Sequence, residues 1–172
     1  MRVSRPILSV LMLLWLPAAV HAATIAELYP QVRSFFPGAD RFGTLDGDPP
    51  AAPVYRGTQL LGHAFLTADV VRIPAYSGRP IDTLVAFDTA GRIVGIQIVQ
   101  HEEPILVVGI SEAQLAQFVG QYRGLGVYDK VAVGAARAGH VRIDTISGAT
   151  ITVMVENATV MQAVRRVAEA RG

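Results

Sequence analysis

Two β-rich runs, Ile81 to Phe87 and Arg92 to Val99, flank the turn Asp88-Thr89-Ala90-Gly91 and constrain the fold more than any other feature of the chain. Branched and aromatic residues suit a pleated surface, and a short link ending in glycine closes an antiparallel pair. A hairpin of this kind needs further strands or helices to cover it. From Val54 to Ile73 the pattern predicts two more strands or a second hairpin, with breaks at Gly57 and Gly62 and packing through Phe65, Val70 and Val71. Helices are expected on either side. Thr24 to Phe36 repeats Ile25, Leu28, Val32, Phe35 and Phe36 at helical spacing before Pro37-Gly38, and the loop Asp46-Gly47-Asp48-Pro49-Pro50 follows. Ser111 with Gln114 forms a capping box ahead of an apolar face of Leu115, Phe118, Val119 and Tyr122, and Gly124 and Gly126 end that helix. A weak strand is expected at Lys130–Val133, Val141-Arg142-Ile143-Asp144 follows it, and a helical tail ends in Ala168-Glu169-Ala170. Asn157 is one cap for that tail, which leaves Ile151 to Val155 as a short strand or an irregular first turn. The fold class is therefore α+β: a small antiparallel sheet with a central hairpin, flanked by helices, in one domain.

Length and composition limit the chemistry. The 172 residues are one domain's worth, and with no cysteine the chain has no disulfide, zinc–thiolate site, thiol nucleophile or cysteine-held iron–sulfur cluster. A net charge of +1 gives no general attraction to nucleic acid. The amino end reads as an export signal: Arg2 and Arg5, an apolar run from Ile7 to Val20, then Val20-His21-Ala22 with small residues at the cleavage-determining positions. Cleavage after Ala22 or Ala23 is expected, since the run is shorter than the roughly 20 residues of a spanning helix. Residues 1–22 would then be a signal peptide and 23–172 a periplasmic domain with 13 basic against 14 acidic residues. No Gly-x-Gly-x-x-Gly or Gly-x-Ser-x-Gly is present, so the signatures of dinucleotide binding and of a hydrolase nucleophile elbow are missing. A hydrolase or oxidoreductase acting on a free substrate ranks last among the functions considered, and no catalytic residue is assigned.

The informative constellation is Asp144-Thr145-Ile146-Ser147-Gly148-Ala149-Thr150. It resembles the flavinylation motif, Asp-x-x-(Ser/Thr)-Gly-Ala-(Ser/Thr), of the FMN-binding domain family, which includes the RnfG and NqrC subunits and the periplasmic domain of NosR. Such a pattern arises by chance in roughly one chain in a thousand of this length. A lone Ser-Gly-Ala-Thr is otherwise an ordinary loop with a helix cap. The order of other features supports the resemblance across residues 54–170: Gly62-His63-Ala64-Phe65 in a strand, Tyr76-Ser77-Gly78-Arg79-Pro80-Ile81 before the hairpin, and His101-Glu102-Glu103-Pro104 after it. The stretch from Tyr76 to Gly109 resembles the NosR branch more than RnfG or NqrC, which continue their acidic motif with Thr-Pro-Gly where this chain has Glu103-Pro104-Ile105-Leu106.

The resemblance implies a bound FMN joined through its phosphate to the Thr150 hydroxyl, donated from FAD by a flavin transferase that reads Asp144, with magnesium near the phosphate. Gly148 and Ala149 would keep bulk away from that hydroxyl, and the backbone around Ser147 can form an anion-binding concavity. Glu102, Glu103 and Pro104 would lie near the flavin or its phosphate-side loop, and Tyr76, with Ser77 and Gly78, would either stack on the ring or pack in the core. Glu102 has a second reading as a solvated strand end. Phe65, Phe87 and Phe118 read as core, and His63 and His140 carry no role. His101-Glu102-Glu103 lacks the two-histidine spacing of a zinc helix, so no metal site is assigned. The implied activity is periplasmic electron transfer with a membrane-bound redox partner or a nitrous oxide reductase system. A regulatory or assembly module without electron transfer is the alternative.

Overall fold

A computed structural model describes residues 22–104 and 109–172. The apolar run Ile7 to Val20 and the pair Ile105-Leu106 lie outside the described residues. Strands β1 (Arg41–Phe42), β2 (Ala52–Arg56), β3 (Gln59–Leu66), β4 (Asp82–Asp88) and β5 (Ile93–Gln100) form one antiparallel sheet in chain order. The expected hairpin is β4–β5. Its turn is tied by the Asp88 carboxylate, which accepts from the amides of Ala90 and Arg92, both at 2.9 Å. β5 is the sheet's edge in the structure, and its Ile93 exchanges backbone hydrogen bonds with Leu125 and Gly124 at 2.9 and 2.8 Å, so part of the edge is paired with the loop after the next helix.

Both faces of the sheet are covered, which explains why Leu84 to Phe87 of β4 form an unbroken apolar run. Leu84 and Ala86, with Val54, Ala64 and Leu66, pack under the amino-terminal segment, against Ile25, Val32, Phe35 and Phe36. Val85 and Phe87, with Phe65, Ile93 and Ile96, face the other side, where α3 (Glu112–Gly120) and α4 (Thr150–Arg171) supply Leu115, Phe118, Val153, Val160 and Val164. A short α2 (Thr67–Val70) follows β3, and Arg166 of α4 donates to the Val70 carbonyl at 3.2 Å. A parallel pair, β6 (Val131–Val133) and β7 (Val141–Ile143), leads into the loop before α4.

Four local expectations change. The single helix over Thr24–Phe36 is α1 (Ile25–Leu28) followed by a 3-10 turn (Pro30–Phe35), because Pro30 has no amide to continue the helix and disfavours helical geometry at Tyr29. Leu28, expected to pack, is exposed. Gly62 does not break a strand: it sits within β3, where a Cβ would collide with the Phe87 carbonyl of β4. Ile151 to Val155 are helical, and Asn157 lies inside α4 with its side chain accepting from the Tyr122 hydroxyl at 3.0 Å. Burial of Thr152, Val153 and Val160 overrides the weak helix propensity of β-branched residues. The Ser111 capping box is present as expected, with the Gln114 amide donating to the Ser111 hydroxyl at 3.2 Å.

Gly95 shows how closely the amino-terminal segment is seated. A Cβ on this buried β5 residue would enter the Phe35 ring. Gly95→Ala is expected to lower stability by about 1–3 kcal/mol through overpacking, measured by urea unfolding.

Candidate functional site

The loop Asp144–Ala149 joins β7 to α4 and is held from below and from one side. Ile146 and Ala149 are buried, whereas Asp144, Thr145, Ser147, Gly148 and Thr150 are exposed. The Asp144 backbone is clamped by the end of α3: its amide donates to Gln121 Oε1 at 2.7 Å, and Gln121 Nε2 donates to its carbonyl at 3.2 Å. The Asp144 carboxylate stays at the surface, 2.9 Å from the Arg142 guanidinium. A groove of about 310 Å³ runs between α3 and this loop, lined on one side by Gln114, Gln117 and Gln121 and on the other by Asp144 to Ser147.

Gly148 has φ +84°, a left-handed conformation that a side chain rarely adopts, and a Cβ there would meet nothing. Its requirement is thus the chain reversal into α4 more than clearance for a neighbour. Ala149 is fully buried, so its small size answers packing. Ala149 is also the N-cap of α4 and makes no side-chain capping bond, while Thr150 is the first helical residue. The first-turn amides of a 22-residue helix therefore lack the usual side-chain acceptor, at the end where the helix dipole favours negative charge. This arrangement fits a phosphate group, with the Thr150 hydroxyl exposed beside it.

Glu103 ties this helix end to the segment before the hairpin. It is completely buried, with Oε1 accepting from the Ser77 amide at 2.8 Å and Oε2 from the Tyr76 amide at 3.2 Å and the Thr152 hydroxyl at 2.9 Å. Burial works against its charge, but the donors from Ser77, Thr152 and Tyr76 together outweigh it and hold the carboxyl below the ordinary carboxylate range. The turn it anchors closes through Gly78, φ +79°, whose amide donates to the Ala75 carbonyl at 3.0 Å. Tyr76 is 60% exposed, which removes the core alternative for its ring.

The acidic run separates. Glu102 is a surface residue paired with Arg79 at 3.0 Å, Glu103 turns inside, and His101 Nε2 lies 3.9 Å from Glu112. Pro104 is exposed at the border of the described residues. Through Glu103, the structure brings Tyr76, Ser77 and Gly78 to the α4 end of the Asp144–Thr150 loop, while Glu102 faces another way. Thr152 and Gln121 are the supporting residues that sequence reading misses. Thr152 could have been flagged as a second hydroxyl two residues after Thr150, whereas nothing local to Gln121 marks it.

The family model of the FMN-binding domain matches residues 76–166, which includes the Tyr76 turn, Glu103, the loop and most of α4. The chain belongs to the FMN-binding domain family. It is 39% identical to the regulatory protein NosR of Pseudomonas aeruginosa over 94% of this chain and 23% of that protein. Against the protein NirI of Paracoccus denitrificans it is 31% identical over 98% of this chain and 24% of the relative. The chain thus spans about a quarter of the length of the curated relatives it matches. In fold, this FMN-binding domain is similar to a solved component of the Na+-translocating NADH-quinone reductase from Parabacteroides distasonis, its NqrC polypeptide, with a TM-score of 0.50 at 22% identity over 69% of this chain and 60% of that one. Among the described residues, no helix is long and apolar enough to cross a membrane.

Proposed function

We propose that this FMN-binding domain is a periplasmic electron carrier with FMN joined by a phosphoester to Thr150, serving a NosR-type system that supports nitrous oxide reduction. The observation that carries the reading is the start of α4, where an exposed threonine stands at a helix end whose cap residue, Ala149, offers no side-chain acceptor. Ser147 is exposed in the loop, Gly148 turns the chain into α4 and Ala149 packs beneath it, and Asp144 is exposed where a modifying flavin transferase can read it. Glu103 fixes Tyr76 and Ser77 relative to that helix end, while Glu102 and Pro104 are exposed.

A tether is the physical answer to the compartment that the export signal implies. Where free FMN is scarce, a dissociable site loses its ligand by mass action, whereas a covalent bond fixes the local concentration. When bound, the flavin supplies one- and two-electron chemistry. The chain's own residues would hold it: the α4 amides would face the phosphate, Gln121 and Ile146 fix the loop, and the Tyr76 turn is kept in place from the protein interior.

The hydroxyl, not the methyl group, is what the bond requires. Thr150→Ser co-expressed with a flavin transferase is therefore expected to remain flavinylated. The loaded protein should take up and return electrons reversibly in spectroelectrochemical titration. An adduct that forms but does not cycle would support the second reading, a regulatory module, which is favoured by the designation of NosR as a regulatory protein.

A further inference from the structure

Six residues beyond Thr150, α4 carries Glu156, a carboxylate the site described above does not use. It is 1% exposed. Its Oε1 accepts from the Thr83 hydroxyl of β4 at 2.6 Å, while Oε2 is buried with no hydrogen-bond partner. Glu156 and Thr152, one turn apart on the same helix face, both wall a small cavity closed by Ile81, Ile98, Leu115, Phe118 and Val153. Its volume of about 10 Å³ is the space of a single water. Thr152 in turn contacts Glu103.

The groups around Glu156 are acidic or neutral. Asp82 of β4 is itself pushed up by burial and by Asp69 of α2, and the phenol of Tyr122, behind α3, is pushed up by burial and by Glu156. β5 and α3 contribute only Ile98, Leu115 and Phe118 to the cavity wall. None of the ion pairs among the described residues involves Glu156.

We propose that Glu156 is the proton-accepting residue of the domain's redox cycle. When a reduced electron-transfer protein delivers an electron to a flavin tethered through Thr150, the Glu156 carboxylate would take up one proton from the solvent and become a carboxylic acid. On reoxidation the electron passes to the next carrier and the proton returns to water. No bond to the flavin forms or breaks. The driving force is repulsion between like charges. Thr150 and Glu156 are about 9 Å apart along the helix axis. At an effective dielectric of about 20, a unit negative charge brought to within about that distance of the carboxylate would raise its proton-binding constant about twentyfold. This role rests on the Thr150 reading.

The test is the flavin midpoint potential as a function of pH in flavinylated wild type, Glu156→Gln and Thr83→Val, with a carbon-13 titration of the Glu156 carboxyl in protein made without the transferase. Wild type is expected to show a pH-dependent segment that Glu156→Gln lacks, worth up to a tenfold change per pH unit, or about 59 mV for a one-electron couple. Thr83→Val removes the donor that favours the carboxylate, so its segment and its carboxyl titration should both move to higher pH. Equal pH dependence in flavinylated wild type and Glu156→Gln overturns the proton-accepting role and leaves the Thr150 reading standing. Failure of any adduct to form on Thr150 overturns both.

Discussion

Replacing Glu103 with alanine is expected to lower folding stability by about 3–5 kcal/mol and to free the Tyr76–Gly78 turn from the start of α4. The size follows from what the carboxylate satisfies. Two backbone amides and the Thr152 hydroxyl end on one fully buried group, hydrogen bonds to a charged partner contribute about 1.5–3 kcal/mol each, and stranded buried donors add a penalty that local water can only partly relieve. The pH dependence has a definite sign. Because the folded-state pKa lies below the ordinary value, this stabilisation is fully present above the unfolded-state pKa and is lost as pH falls through the lowered folded value. Urea unfolding at neutral pH and on the acid side measures both effects, and the variant should lose less stability on acidification than the wild type. A loss under about 1 kcal/mol at neutral pH would mean that Glu103 does not hold the two segments together.

Glu156 has the opposite dependence, in a different window. Burial pushes its pKa from 4.5 up to about 7, with Thr83 opposing and Asp82 adding to the shift. A folded state that binds the proton more tightly has its full contribution below the unfolded-state value and loses it as pH rises through about 7. At about 1.4 kcal/mol per pH unit, the wild type should lose about 3 kcal/mol between pH 4.5 and pH 7 and little more above it from this group. Glu156→Gln keeps an oxygen for the Thr83 hydroxyl but does not titrate. This position should then contribute no pH dependence across that range, giving a difference from the wild type that grows with pH and then stops. Parallel stability–pH curves for the two proteins would contradict the buried-carboxyl account.

Much of this was legible in the chain because it is local. The β4–β5 hairpin is written in its branched residues and its Asp88–Gly91 turn, and the α3 start in the reciprocal Ser111–Gln114 cap. What was not legible depends on partners distant in sequence. Nothing near Ile151–Val155 says that Thr152 and Val153 face a core to which α3 and β4 contribute, so the helix over this stretch is invisible to propensity alone. Pro30 was readable, and the helix break it enforces follows from local chemistry. For the site, Asp144 to Thr150 are contiguous and stand out. The clamp by Gln121 and the burial of Glu103 against Thr152, 49 positions away, arise only when α4 packs beside the Tyr76 turn. Glu103 and Glu102 are adjacent and look equivalent, yet one organises the interior and the other pairs with Arg79 in solvent.

The central claim is that one hydroxyl carries the cofactor. Its most direct measurement is the intact mass of the protein after co-expression with a flavin transferase, followed by peptide mapping, for the wild type and Thr150→Ala. The account predicts one FMN on the wild type, located on the peptide containing Thr150, and an unmodified, colourless Thr150→Ala protein that remains folded. A wild type without the added mass, or an adduct that persists in Thr150→Ala, would contradict it.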